Sequence, residues 1–317
     1  MTPITEPSTL AGWLPYQLYN GTDARWIYPG TLPYTDPFFD ETISKCKSLP
    51  ENGFGKRYSS AVDVLPGWSA PDNALPPAAI IFHVSRCGST LLSQLLGLNP
   101  NHIVLAEVPF FDDLLRARYK QGGKDLSHLL PHAVSYYAQK RTGTEERLFI
   151  KADSWHLFFY EEIRAHYPDV PFILLYRRPD EVVASQEKKK GMHAVPGVIE
   201  SEIFNLGQLP AYQEGTHAYV AAILEQYYQR MQQIHAKDPL AYLVNYNEGF
   251  GAITEKVYQL THTPFTEKEQ QDIMQRCGFD AKEPEKKFAL PATGIDETAG
   301  YLAKAFKGYH QLEKLRM

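Results

Sequence analysis

The chain has 317 residues, with 32 Lys and Arg against 37 Asp and Glu for a formal net charge of −5. Hydrophobic residues make up 44% and charged residues 22%, ordinary globular usage that excludes a disordered chain. A negative chain with a pI near 6.1 is a poor general binder of nucleic acid, so any anion it takes must meet a local cluster of cations.

No run approaches 18 consecutive apolar residues, and no membrane span is expected. The opening MTPITEPSTLAGWLPYQ has neither the basic start nor the apolar centre of a signal peptide. Cys46, Cys87 and Cys277 are odd in number and far apart. They suit a reducing compartment better than a disulfide framework, and a cytoplasmic location is the expectation.

Residues 1–77 hold 11 of the 23 prolines and three of the four tryptophans, Trp13, Trp26 and Trp68. Proline forbids long helices and removes backbone donors, while the aromatic side chains need a surface to pack on. An irregular but ordered arm is expected here, laid on a main domain of residues 78–317.

From residue 78 the texture changes. Residues 78–84 (AAIIFHV) are a continuous apolar run of strand length, followed by a Gly/Ser/Thr turn and an apolar helix through Leu96. Residues 147–151 (RLFIK) read as a second strand, and 154–166 as a helix capped by Asp153 or Ser154. Residues 171–176 (PFILLY) form a third strand, with Pro179 at the first turn of the next helix. Residues 241–246 (AYLVNY) form a fourth. Between the last two, Val220, Leu224, Tyr227, Met231 and Ile234 recur at steps of four and three, the stripe of a helix packed on a core. The Gly/Pro-punctuated stretch 188–210 reads as a long loop. Unalternating strands interleaved with helices predict an α/β fold, a three-layer sandwich around a mainly parallel sheet.

Two segments carry chemistry. Ser85-Arg86-Cys87-Gly88-Ser89-Thr90 lies between a buried strand and a helix, where backbone N–H groups and the helix dipole converge on an anion. Gly88 permits close approach, Ser89 and Thr90 add hydroxyls, and Arg86 adds a charge. The bland alternative is an ordinary capped helix start. The nucleoside triphosphatase loop needs a lysine where Gly88 stands, which disfavours ATP hydrolysis. The second segment, Tyr176-Arg177-Arg178-Pro179-Asp180-Glu181-Val182-Val183-Ala184-Ser185, ends a strand in two arginines and brings Ser185 round two helical turns later. Both segments fall at the carboxyl ends of parallel strands, where such sheets bind ligands. Two anion sites on one edge suit a ligand with two anionic ends.

The order "SRCGSTLL after a strand", then a Lys-bearing strand, then "LLYRRPDEVVAS after a later strand" resembles the sulfotransferases that use 3′-phosphoadenosine 5′-phosphosulfate. It is most similar to their bacterial and tyrosylprotein-type branch. The resemblance spans roughly residues 78–260 and implies a P-loop NTPase-like fold and no metal. It implies that Arg86, with Cys87, Gly88, Ser89 and Thr90 as the cradle, holds the 5′-phosphosulfate, and that Arg177 and Ser185 hold the 3′-phosphate. Ser85 replaces the family's usual proline and Arg178 its aspartate, and neither change removes a ligand. The cytosolic branch's C-terminal Arg-Lys-Gly loop is absent, with only Lys304, Lys307 and Gly308 as substitutes.

Sulfuryl transfer needs positive charge at the leaving phosphate and a base for the acceptor. Arg86 and Lys151 can supply the charge. Glu107, after the apolar run 102–106, resembles the glutamate base of the tyrosylprotein branch; Asp153 sits where the cytosolic branch has its histidine. Asp153 has a structural explanation as a helix cap, so Glu107 is favoured. Cys87, at a helix start beside Arg86, is expected to have a lowered pKa and to react if exposed. His128 and His132 are four apart, but Pro131 interrupts and no third metal ligand is near. The rival functions are a magnesium-dependent kinase and a nucleotide-binding protein without turnover. The acceptor, a small molecule or peptide, has no readable code.

Overall fold

In the computed structural model the described residues are 2–3, 12–53, 57–68, 73–206, 215–279, 286–287, 295–296 and 298–317. The N-terminal residues are more regular than their proline content predicts. Strands β1 (Thr2–Pro3), β2 (Leu14–Tyr19), β3 (Asp23–Ile27) and β4 (Tyr58–Ala61), with helix α1 (Phe39–Cys46) between β3 and β4, form a sheet in the order β1-β4-β3-β2. The β2–β3 hairpin turns on Asn20 and Gly21, both in the left-handed region (φ 52° and 72°). That is the turn geometry Asn-Gly favours, and it matches the twist of the paired strands. Pro15 lies on the edge strand β2, beside a register shift between Pro15 and Gln17, where a missing N–H costs no ladder bond.

The remaining elements, in order, are β5 (Pro77–His83), α2 (Ser89–Leu96), β6 (His102–Ala106), α3 (Pro109–Arg116), α4 (Leu130–Tyr137), β7 (Arg147–Lys151), α5 (Tyr160–His166), β8 (Phe172–Tyr176), α6 (Pro179–Lys188), α7 (Thr216–Lys237), β9 (Ala241–Asn245), α8 (Phe250–Leu260), α9 (Glu267–Cys277) and α10 (Ala303–Arg316). The fold is α/β, and its central five-stranded sheet runs in the order β6-β7-β5-β8-β9. The four expected strands are present. The fifth, β6, comes from the apolar run 102–106 and pairs in parallel with β7 from His102↔Arg147 to Ala106↔Lys151.

The chain divides into two compact units. The first comprises Met1–Ala78, Ser93–Asp153 and Glu162–Pro168. Within it the N-terminal sheet is fastened to α3 and α4. The Leu18 N–H donates to Asp113 Oδ2 at 2.9 Å, the Tyr137 hydroxyl donates to the Pro15 carbonyl, and Trp26 meets the Tyr136 ring edge-on at 5.1 Å. Aromatic side chains from a proline-rich stretch thus find their partners on helices.

The second unit comprises Ala79–Leu92, Ser154–Glu161 and Asp169–Met317. Here β5 pairs in parallel with β8, and β8 with β9. Every residue of β8 is buried, as expected of a strand covered on both faces. The stripe Val220, Leu224, Tyr227, Met231 and Ile234 lies on the buried side of α7, which packs on α10. Residues 154–159 differ from expectation, forming a 3-10 segment before α5. Its sequence, SWHLFF, contains aromatic residues with low helix propensity, and it buries Trp155, His156, Leu157 and Phe159 around a narrow helix. Two further 3-10 turns, Met192–Ala194 and Ser201–Phe204, structure the stretch expected to be a long loop; residues 207–210 of that stretch lie outside the described residues.

Candidate functional site

In the second unit the turn between β5 and α2 has an unusual backbone. Ser85, Arg86 and Gly88 all adopt positive φ, at 62°, 50° and 78°. For the two residues with a Cβ such conformations cost on the order of 1 kcal/mol each and persist only where surroundings enforce them. The enforcement is visible. The Val84 N–H donates to the Leu175 carbonyl at 3.2 Å, continuing the β5–β8 ladder. The Ser85 N–H donates to His83 Nδ1 at 3.0 Å, and the Gln186 amide donates to Ser85 Oγ at 3.4 Å. Gln186 also accepts from the Gly191 N–H at 2.6 Å, which ties the start of the following loop to the same turn. Gly88 is required on two counts. Besides its φ, a Cβ there would lie 2.2 Å from the Phe250 ring and 3.1 Å from the Tyr246 ring, closer than packing allows.

Ser89 and Thr90 open α2 and are buried. Cys87 corrects the sequence expectation. Its thiol is fully buried, donates to the Leu175 carbonyl at 3.6 Å, and is pushed up to about 12 by burial, against the lowering effect of nearby backbone N–H groups. A neutral, enclosed thiol is inert, so desolvation outweighs the helix terminus.

Arg177 follows β8 and is buried. Its Nη1 donates to the Arg86 carbonyl at 3.2 Å, its Nε donates to Glu181 Oε2 at 2.9 Å, and its guanidinium lies 4.0 Å from the Tyr246 ring centroid. Its own carbonyl accepts from the Tyr228 hydroxyl at 2.7 Å. The two sequence motifs, 91 residues apart, are therefore in direct contact within one unit. Ser185 is half-buried on α6. Arg178 turns to a different set of partners, Asp180 at 3.2 Å and the Phe306 ring at 5.6 Å. Tyr246 and Phe250 went unnoticed in the sequence. The available signal was their position, immediately beyond the carboxyl end of β9 and so on the edge where the motifs fall.

The first unit holds the other predicted residues. Lys151, the last residue of β7, is 0% exposed, and its ammonium is paired with Glu107 at 2.5 Å and lies 4.9 Å from the Phe38 ring centroid. A solvated surface lysine is thereby excluded. Glu107 follows β6 in a left-handed conformation (φ 54°), and its N–H donates to the Lys151 carbonyl at 2.8 Å. That backbone turn directs the glutamate and the lysine at each other. Asp153 is buried, and its carboxyl is held well above the usual carboxylate range, first by burial and then by the negative charges of Glu107 and Asp112, against the opposing charges of Lys151 and Arg116. Arg116 is itself paired with Asp112 at 2.7 Å. Two cations and two carboxylates already balance there, so burial and like charge disfavour a further negative charge on Asp153.

No family model matches the chain, and no curated protein matches it. Among solved structures it is similar to a sulfotransferase from Alicyclobacillus acidocaldarius at 14% identity, covering 76% of this chain and 96% of that one with a TM-score of 0.44. The sulfotransferase STF9 from Mycobacterium avium is 16% identical, with 78% of each chain covered and a TM-score of 0.48. For the sulfotransferase STF1 from Mycobacterium tuberculosis H37Rv the corresponding values are 13%, 77% of each chain and 0.41.

Proposed function

We propose that the protein is a sulfotransferase that moves a sulfuryl group from 3′-phosphoadenosine 5′-phosphosulfate to a hydroxyl or amine of a small-molecule or peptide acceptor. The observation that carries this reading is the contact of Arg177 with the Arg86 carbonyl, which sets two anion-binding motifs side by side in one unit. A ligand with phosphates at two positions matches two such motifs, whereas a nucleoside triphosphate needs a lysine where Gly88 stands.

In this scheme residues 78–317 form the catalytic domain, with 1–77 as an appended arm in a cytoplasmic protein. The turn from Arg86 through Cys87, Gly88, Ser89 and Thr90 cradles the 5′-phosphosulfate with backbone N–H groups, hydroxyls and one guanidinium. Cys87 contributes only its backbone, because its thiol is enclosed. Arg177 and Ser185 take the 3′-phosphate. The donor supplies the sulfuryl group, and the chain's own work is to bind, neutralise and move one proton. Glu107 accepts the proton of the acceptor as the new S–O or S–N bond forms. Lys151 holds that carboxylate ionised and oriented, since an ammonium 2.5 Å away favours the anion. Burial and the neighbouring negative charges favour the protonated form of Asp153, which suits it to donate a hydrogen bond and leaves the base role to Glu107. Adenosine 3′,5′-bisphosphate leaves as product, and no step requires a metal.

The test is calorimetric titration with adenosine 3′,5′-bisphosphate, with magnesium-ADP as the comparison. Tight binding of the bisphosphate with little response to ADP supports the reading. Preference for magnesium-ADP overturns it in favour of a kinase, and binding of neither leaves the fold without this function.

A further inference from the structure

The first unit carries a pocket on the N-terminal sheet, lined by none of the residues of the proposed transfer site. It has a volume of about 620 Å³, and its lining includes Arg25, Lys47, Arg57, Tyr16, Trp26 and Tyr58. That volume lies within the range of small-molecule sites, which bury most of a ligand against apolar walls and a few placed polar groups.

Most of the lining residues come from three neighbouring strands and the end of α1. Trp26 of β3 is the register partner of Pro15 on β2 and Tyr58 on β4, while Arg25 stands opposite Gln17 and Ser59. Tyr16, within the register shift, adds its ring, and Lys47 follows directly on α1 with its ammonium 5.8 Å from the Tyr16 ring centroid. The walls are held by bonds of their own. The Trp26 indole N–H donates to Ser60 Oγ at 2.9 Å, and Tyr58 meets Trp13 edge-on at 4.7 Å.

Charge is the telling feature. The chain has more acids than bases, and several of its cations pair with carboxylates, as Arg118 does with Glu162, Lys237 with Glu161 and Arg316 with Glu313. Arg25, Lys47 and Arg57 form no such pair among the described residues, and no described lining residue is a carboxylate. Arg25 donates from Nη1 to Gln17 at 3.1 Å and lies 3.8 Å from the Tyr19 ring centroid, but its Nε is buried without an acceptor. A buried N–H of a charged group left unsatisfied is costly, and an oxygen brought by a ligand removes that cost. Three like charges collected without a counter-ion are also mutually repulsive until an anion arrives.

We propose that this pocket binds a small aromatic anion, its carboxylate or sulfate ester met by Arg25, Lys47 and Arg57 and its ring packed against Tyr16, Trp26 and Tyr58. Guanidinium forks suit such planar or tetrahedral oxyanions, and aromatic walls suit a flat body. The proposal stands independently of the sulfotransferase reading.

The test uses the full chain and calorimetric titration with 2-naphthoate, with neutral 2-naphthamide as the matched body lacking the charge. Saturable one-to-one binding of naphthoate is expected, with naphthamide at least tenfold weaker. Arg25→Gln and Arg57→Gln should each weaken naphthoate at least tenfold. Arg57 is exposed, so its variant keeps the fold even if Arg25→Gln does not, and thermal melting checks both. No saturable binding, equal binding of the amide, or unchanged affinity in the Arg57 variant overturns the proposal.

Discussion

The turn at residues 84–90 and the group around Lys151 handle charge in opposite ways. Around the turn, positive charge is gathered with a carboxylate partner, that of Glu181 on Arg177. Arg177 is held by a carbonyl, an aromatic ring and one glutamate, and the turn itself by backbone conformations at Ser85, Arg86 and Gly88 that an ordinary helix start does not need. Around Lys151, charges are matched one to one with both cations buried, and burial raises the pKa of the carboxyl left over at Asp153. In the proposed reaction the first arrangement takes the anionic donor and the second takes the acceptor's proton. A transferase needs both, because binding energy and proton transfer place contrary demands on the same charges.

The sharpest way to separate the two is Glu107→Gln. Turnover is expected to fall by about 10²–10⁴, the usual worth of a general base, while affinity for adenosine 3′,5′-bisphosphate stays within about threefold. The buried Lys151 ammonium loses its counter-charge, and chemical denaturation should register a loss of about 3 kcal/mol. Equal turnover in the variant would remove Glu107 from the reaction. Arg177→Ala acts on the other side. Bisphosphate affinity should drop about 100-fold, corresponding to about 2.7 kcal/mol, as read by calorimetry. Unchanged binding would detach the second motif from the ligand.

A smaller effect is expected at Asp113 of α3, which accepts the Leu18 N–H and whose carboxyl is raised to about 6, mainly by burial and against the lowering effect of that bond. A carboxyl with a raised folded pKa binds its proton more readily folded than unfolded, so ionising it costs stability as pH rises from about 4 through about 6. Asp113→Asn keeps an acceptor for Leu18 and removes that cost. The variant should be more stable than the parent by about 1–2 kcal/mol above pH 7 and converge with it below about pH 4, as followed by denaturant melts across pH. The smallest effect belongs to Asp153→Asn. An amide mimics the protonated form that burial favours at Asp153, so stability should change by less than about 1 kcal/mol and turnover by less than about tenfold. A collapse of turnover here, with Glu107→Gln active, would exchange the roles of the two residues.

Much of this was legible in the chain. Strands β5, β7, β8 and β9 announced themselves as unbroken apolar runs, and the stripe from Val220 to Ile234 announced α7. Ser85 to Thr90 and Arg177 were identifiable from residue types between a strand and a helix. The hairpin of β2 and β3 was equally legible through Asn20-Gly21, yet the density of prolines concealed it; Pro15 proved harmless because it falls on an edge strand. Cys87 could not be judged from its neighbours in sequence, since the Leu175 carbonyl and the burial that raise its pKa belong to the tertiary structure.

By itself the sequence determined the α/β class, four strands of the central sheet and the two motifs at their carboxyl ends, because those depend on periodicity and on local turn geometry. Only the tertiary structure decided that Arg177 touches the turn of Arg86, that Lys151 is enclosed and paired with Glu107, that Asp153 is buried, and that three cations share an aromatic pocket. Each of these depends on distance and solvent exclusion between residues far apart in the chain, and neither quantity is written in local sequence.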